Sequence, residues 1–238
     1  MKKLLIVMGW LSCVACFKDS AYNDVNPDDI ITVSAAAGEV LADGVASGEV
    51  SAKINSNAAQ DRRQVTFKTS IGSFKGGSGD SIVVNGDAGL VAKAELVSTI
   101  AGDAKVSATI RGITTAAPAT VSFVRALPTG IKVVVDSFVI YNEYSSETLI
   151  TATMTAGSGK PSKGQVVHFK VTFEDGVPVG TFLNGIDSVA CDASAKAQIR
   201  YSAGESTRLG NLTITASTTN QEGQVISANT KIYLTQHN

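Results

Sequence analysis

The feature that most restricts this chain is a repeat in the order of its short segments. VSAKI at residues 50–54 is matched by ITATM at 150–154, and VTFK at 65–68 by VHFK at 167–170. GSF at 72–74 is matched by GTF at 180–182, DAGLVAKAEL at 87–96 by DASAKAQIRY at 192–201, and GDAKVSAT at 102–109 by GNLTITAS at 210–217. The spacing between partners stays between 100 and 108 residues, and the order is kept. Chance likeness in a chain rich in Thr, Ala and Ser would not hold five landmarks in order. The chain therefore contains two homologous units of about 100 residues each.

Within each unit apolar and polar residues alternate over short runs, and turn dipeptides such as Asp43-Gly44, Asn85-Gly86, Asp175-Gly176 and Asn184-Gly185 separate the runs. No long stretch shows apolar residues at helical spacing. Short alternating strands punctuated by turns predict an all-β fold of two tandem antiparallel β-sandwich domains. The expected core of the first is Val50, Ala52, Ile54, Val65, Phe67, Val106, Ala108, Ile110, Val121 and Phe123. That of the second is Ile150, Ala152, Met154, Val167, Phe169, Val171, Ala197, Ile199, Tyr201, Leu212, Ile214 and Ala216. The boundary falls in RALPTG, residues 125–130, where Pro128 cannot donate to a strand ladder. So short a junction limits bending and predicts a stiff rod.

The first 29 residues have a different character. Lys2 and Lys3 precede an apolar run over residues 4–15, too short for a membrane span of about 20 residues and suited to a signal peptide. Val14 and Ala15 before Cys16 resemble the lipobox of bacterial lipoproteins, in which cleavage exposes a cysteine that carries lipid. The pattern departs from that box at Cys13, where Leu is usual. A secretory signal cut elsewhere, for example after Ala21, is the alternative. A CxxC metal or redox pair fits less well, because Cys13 and Cys16 lie in the removable segment with no βαβ pattern around them. Residues 17–29 are polar and acidic and read as a flexible tether reaching about 45 Å when extended. Lys18-Asp19 resembles the short charged export signal of surface-displayed lipoproteins in some Gram-negative bacteria. The expected organisation is a signal peptide over 1–15, lipidated Cys16 and linker over 16–29, and domains over 30–126 and 127–238.

Removing Lys2 and Lys3 from the 20 basic side chains leaves 18 against 21 acidic ones. That balance has no basic tract, which argues against nucleic-acid binding. Cys191 would then be the one remaining thiol, so core burial must hold the fold without an intrachain disulfide.

LADGVASGEVSAKI, VTFKTSIGSF, DAGLVAKAEL, AGDAKVSATI and ATVSFV resemble the bacterial Ig-like domain of the invasin/intimin type. The shared pattern is an Ala-Asp-Gly lead-in, a Val-x-Phe strand ending at a Gly-x-Phe turn, an Asp-Ala turn, and an Ala-Gly-x-Ala-x-Val-x-Ala strand. The likeness covers residues 30–126 well and 127–236 more loosely, with Asn142 standing for the lead-in Asp and Ser194-Ala195 for the turn residues. It implies immunoglobulin-like sandwiches used as structural or adhesive modules at bacterial surfaces, and it carries no catalytic residues to transfer.

No residue pattern here points to catalysis. His168 is expected to face outward and His237 lies at the C-terminus. GSGKPS at 157–162 fails as a phosphate loop, because Pro161 replaces the metal-binding Ser or Thr and Met154 the first Gly, so it reads as a hairpin turn. GGSGD at 76–80 opens no helix and reads as a flexible loop. Cys191 lacks an indicated base and reads as a small buried residue. Asp24, Asp28 and Asp29 lack the ligand spacing of an EF-hand loop. No cofactor or metal is expected. Asp-Ser-apolar triplets at Ser20, Ser81 and Ser188 resemble acceptors of an O-glycosylation system of Gram-negative envelopes.

The expected role is that of a non-enzymatic lipoprotein, anchored at the outer membrane through Cys16 and facing the cell surface, in adhesion or surface display toward a protein or glycan partner. The contact loops are expected at the far, C-terminal end, near residues 157–165 and 220–223. The alternatives are an accessory subunit or spacer of a larger outer-membrane complex, and a carbohydrate-binding lipoprotein with Tyr141 and Tyr144 as a platform. Two such modules span only about 70–80 Å end to end, which favours the spacer.

Overall fold

The computed structural model describes residues 26–55, 62–157 and 159–237. The segment expected as a signal peptide, Cys16, Ser20 and most of the expected tether lie outside these residues. After a short 3-10 turn at Pro27–Asp29, the named elements among the described residues are all β-strands.

The first sandwich uses β1 (Ile31–Ala35), β2 (Glu39–Leu41), β3 (Ser47–Ile54), β4 (Gln64–Thr69), β5 (Ser73–Phe74), β6 (Ser81–Asn85), β7 (Val91–Val97), β8 (Gly102–Ile110), β9 (Ile113–Thr114) and β10 (Ala119–Val124). One sheet is ordered β1-β3-β7-β5 and the other β2-β10-β8-β4-β6, with β9 beside β8. The second repeats this plan with β11 (Gly130–Val135), β12 (Val139–Tyr141), β13 (Glu147–Thr155), β14 (Val166–Phe173), β15 (Thr181–Phe182), β16 (Ser188–Ala190), β17 (Lys196–Ser202), β18 (Gly210–Thr219) and β19 (Val225–Thr235). Its sheets are β11-β13-β17-β15 and β12-β19-β18-β14-β16.

Each sandwich departs from purely antiparallel pairing at one place. After β1 the chain crosses to the opposite sheet, where β2 runs parallel to β10, and β12 runs parallel to β19 in the same way. Local alternation sets which face a strand buries but carries no information on its distant partner.

The expected core residues of both units are buried, in two separate clusters. Each large apolar side chain so buried stabilises its sandwich by about 1.5–3 kcal/mol.

The repeat landmarks have physical causes. Asp87 Oδ1 accepts from Val91 N at 3.0 Å, and Asp192 Oδ1 accepts from Lys196 N at 3.0 Å and Ser194 N at 2.8 Å. In both turns the residue three further on, Leu90 or Ala195, has a left-handed backbone. The Gly-x-Phe landmarks follow from crowding. Gly72 and Gly180 have φ of 83° and 70°, and a Cβ there would lie 2.3 Å from the carbonyl oxygen of Val97 or Ser202. Gly180→Ala is expected to cost about 2 kcal/mol in urea denaturation, whereas a neutral change would contradict the crowding.

The Asp192 carboxyl is held below its ordinary range, first by the Lys196 N–H, and that of Glu95 by the Lys75 ammonium bonded to it. A lowered carboxyl contributes stability that is present above its unfolded-state pKa and lost as pH falls through the folded one. The urea midpoint is therefore expected to stay level from neutrality to the ordinary carboxylate range and to fall below it. In Asp192→Asn that fall should shrink, and an unchanged fall would contradict this role for the turn.

The two sandwiches meet through the loop between β13 and β14. This loop connects strands of different sheets and is not the expected hairpin turn. Ser162 is buried there. Its Oγ donates to Ala42 O and accepts from Ala126 N, both at 2.9 Å, and its own N–H donates to Ala126 O at 2.8 Å. Lys160 N donates to Asp43 O and Lys163 N to Thr99 O. Arg125 reaches Gly164 O and Gln165 Oε1. A Cβ on Gly159 would lie 2.6 Å from Asp43 O, so the approach requires glycine. Pro161, which spoils the phosphate-loop pattern, and Pro128 are both buried at this junction.

Candidate binding surface at the free end of the second sandwich

The junction loop corrects the expected contact surface. Residues 159–165 pack against the first sandwich instead of lying at the far end. Residues 220–223 lie near the same junction, since Gln165 Nε2 donates to Thr218 Oγ1 and Thr219 O just before that turn. A run of Gly, Ser and Lys suggested a solvent loop because its contacts are made mainly by backbone groups.

The opposite end is formed by residues 136–138, 142–146, 174–180 and 203–209 with the end of β19. Ser202 Oγ ties the second of these to the fourth by donating to Glu143 O and Tyr144 O at 3.3 Å. Arg208 joins the third to the fourth through Asp175 Oδ2 at 2.6 Å, with its guanidinium 4.1 Å above the Phe173 ring centre. This bond, first among its causes, holds the Asp175 carboxyl below the ordinary range.

Among the described residues, the exposed aromatic side chains are Phe138, Tyr141, Tyr144 and Tyr233, and all four lie toward this end. Val139 and Tyr141 share the outer face of their sheet with Tyr233, which pairs with Val139. Tyr144, 67% exposed, packs over Gly204 beside a hollow of about 400 Å³ lined by Val179, Thr181 and residues 203–207. His237 meets the Tyr141 ring edge-on at 4.8 Å and so is held against β12. Tyr141 and Tyr144 were legible as candidates. Phe138 and Tyr233 were not, because only the parallel pairing of β12 with β19 brings them near.

The corresponding end of the first sandwich is the surface that the second sandwich covers. Ala42 N bonds Val124 O as Asn142 N bonds Thr235 O. This equivalence aligns Asn142 with Ala42, so Glu143, and not Asn142, takes the place of Asp43. Asp43 accepts from Val45 N and Ala46 N. In the second unit Ser146 Oγ instead accepts from Tyr141 N.

The other sequence candidates are dispersed. Ser81 begins β6 and Ser188 begins β16, each half-buried in a different sandwich. His168 is exposed on β14. Cys191 is 3% exposed, with Sγ 3.6 Å from Ser162 O. Among the described residues no group of three His, Cys, Asp or Glu is placed to hold a metal, and no helix is long and apolar enough to cross a membrane.

No protein-family model matches this chain, and no curated protein matches it. Solved structures do. The adhesin InvE of Yersinia pseudotuberculosis matches with a TM-score of 0.53 at 18% identity, over 87% of this chain and 59% of that one. Invasin, a bacterial integrin-binding protein, matches with a TM-score of 0.54 at 18% identity, over 87% of this chain and 39% of that one. The fold is that of the Ig-like domains of the invasin/intimin type. The chain spans less than two thirds of either of these two structures.

Proposed function

We propose that this protein is a non-enzymatic adhesion module of a bacterial envelope, anchored through a lipid on Cys16 and presenting the free end of its second sandwich to a partner. The observation that carries this reading is the collection of all exposed aromatics of the described residues at that end. Such side chains supply large contact area at low entropic cost and are enriched where proteins meet partners. The junction hydrogen bonds support a stiff rod that would hold this end away from the anchor. The share of fold with adhesin Ig-like domains supports the same reading.

The test displays the chain on cells and scores attachment to wells coated with extracellular-matrix proteins or with glycans. Attachment is expected above that of cells without the chain, and lost in Phe138→Ser/Tyr144→Ser. Equal attachment with and without the chain on every coating contradicts adhesion. The shortness of the rod favours a second reading as a spacer in an envelope complex, which recovery of a stoichiometric partner from crosslinked membranes would support.

A further inference from the structure

The chain has six arginines. Arg63 donates to Asp87 O, Arg125 to Gly164 O and Gln165, Arg200 pairs with Glu147, and Arg208 pairs with Asp175. Arg62 and Arg111 make no ion pair or hydrogen bond among the described residues, and both line one groove of about 410 Å³. The rest of the lining among the described residues is Gln64, Thr66, Thr109 and Gly112, none of them a carboxylate. Thr66 and Thr109 are cross-strand partners on β4 and β8, and Thr109 Oγ1 lies 2.8 Å from Thr114 Oγ1 on β9. Two guanidinium groups thus flank a row of hydroxyls on the outer sheet face. Arg111 is held there at φ 47°, in a left-handed turn that Gly or Asn would adopt more readily.

Two guanidiniums without an acidic partner among the described residues, together with hydroxyl and amide donors, make a site for an oxyanion. Arginine's planar fork fits phosphate oxygens two at a time. The position of the groove selects the source. Asn55 Nδ2 bonds Asp28 O, and Gly86 packs between Ile54 and Arg63, so the groove lies at the end of the first sandwich where the chain enters. Asn26 lies ten positions after Cys16, a reach of about 35 Å. We infer that the Arg62–Arg111 groove binds the phosphate of an anionic lipid headgroup. The choice of headgroup over free phosphate rests on the Cys16 anchor proposed above. Docked there, the first sandwich would be held down on the membrane while the second points away.

The test follows the arginine Nε–H signals of Arg62 and Arg111 by NMR. It uses the full chain in a neutral maltoside detergent, titrated with dihexanoyl phosphatidylglycerol, with sodium phosphate, or with sodium chloride at matched ionic strength. Both signals are expected to shift saturably with phosphatidylglycerol and to move far less with chloride. Binding should weaken at least tenfold in Arg62→Gln and in Arg111→Gly, the latter a change the left-handed turn accepts, with amide dispersion reporting the intact fold. Shifts no larger than those in chloride overturn the site. Shifts with inorganic phosphate but not with phosphatidylglycerol overturn the headgroup assignment. Palmitate labelling of Cys16 is read separately, so failure of the anchor and failure of the groove are distinguishable.

Discussion

Replacing Ser162 by alanine is expected to cost about 2–4 kcal/mol of folding free energy. The hydroxyl is one small group, but it lies 1% exposed between the sandwiches and serves two buried backbone groups, the carbonyl of Ala42 and the N–H of Ala126. Removing it leaves both without a partner at a place too enclosed for easy replacement by water. Each unsatisfied buried group costs about 1–3 kcal/mol, with partial relaxation lowering the sum. Urea denaturation reads the loss, and amide exchange locates it. The Ala126 N–H should exchange at least tenfold faster than in the native chain, while amides in the centre of β18 remain as before. A loss below about 0.5 kcal/mol with unchanged exchange at Ala126 would mean that the contact does not hold the sandwiches together.

Phe67→Ala is expected to be costlier still, at about 3–5 kcal/mol. The ring is fully buried in the first core, 6.2 Å from that of Phe74. Around it the core relies on small residues, including Ala52, Ala92, Ala94, Ala104 and Ala108, which cannot swing in to fill the space. The cavity therefore stays open, and the variant loses both transfer energy and packing. The second core shares no residue with the first, so denaturation should split into two steps with the later one near the native midpoint. A single transition with a loss under about 1.5 kcal/mol would indicate that the core repacks.

The sandwich cores were legible because burial in a strand has a period of two residues, and alternation in VSAKI or VHFK displays it directly. The Asp-Ala and Gly-x-Phe landmarks were legible as repeats, although their cause, an aspartate receiving backbone N–H groups and a glycine pressed against a carbonyl, needed coordinates. The parallel strands β2 and β12 were not legible, since a three-residue strand leaves no trace of which distant strand it joins. The junction was misread for a related reason. Its bonds run from Lys160, Ser162 and Lys163 backbone N–H groups to carbonyls of the other sandwich, and backbone groups are the same in every sequence. The arginine groove gathers Arg62 with Arg111 across 49 positions of sequence, so only the pairing of β4 with β8 reveals it.

Protease treatment of intact cells, with Cys16→Ala beside the native chain, tests the proposed function most directly. The account predicts that the native protein sediments with membranes and is removed from whole cells by protease, whereas Cys16→Ala leaves the membrane fraction. A native protein that is soluble, or membrane-bound but protected until cells are broken, would contradict display at the surface.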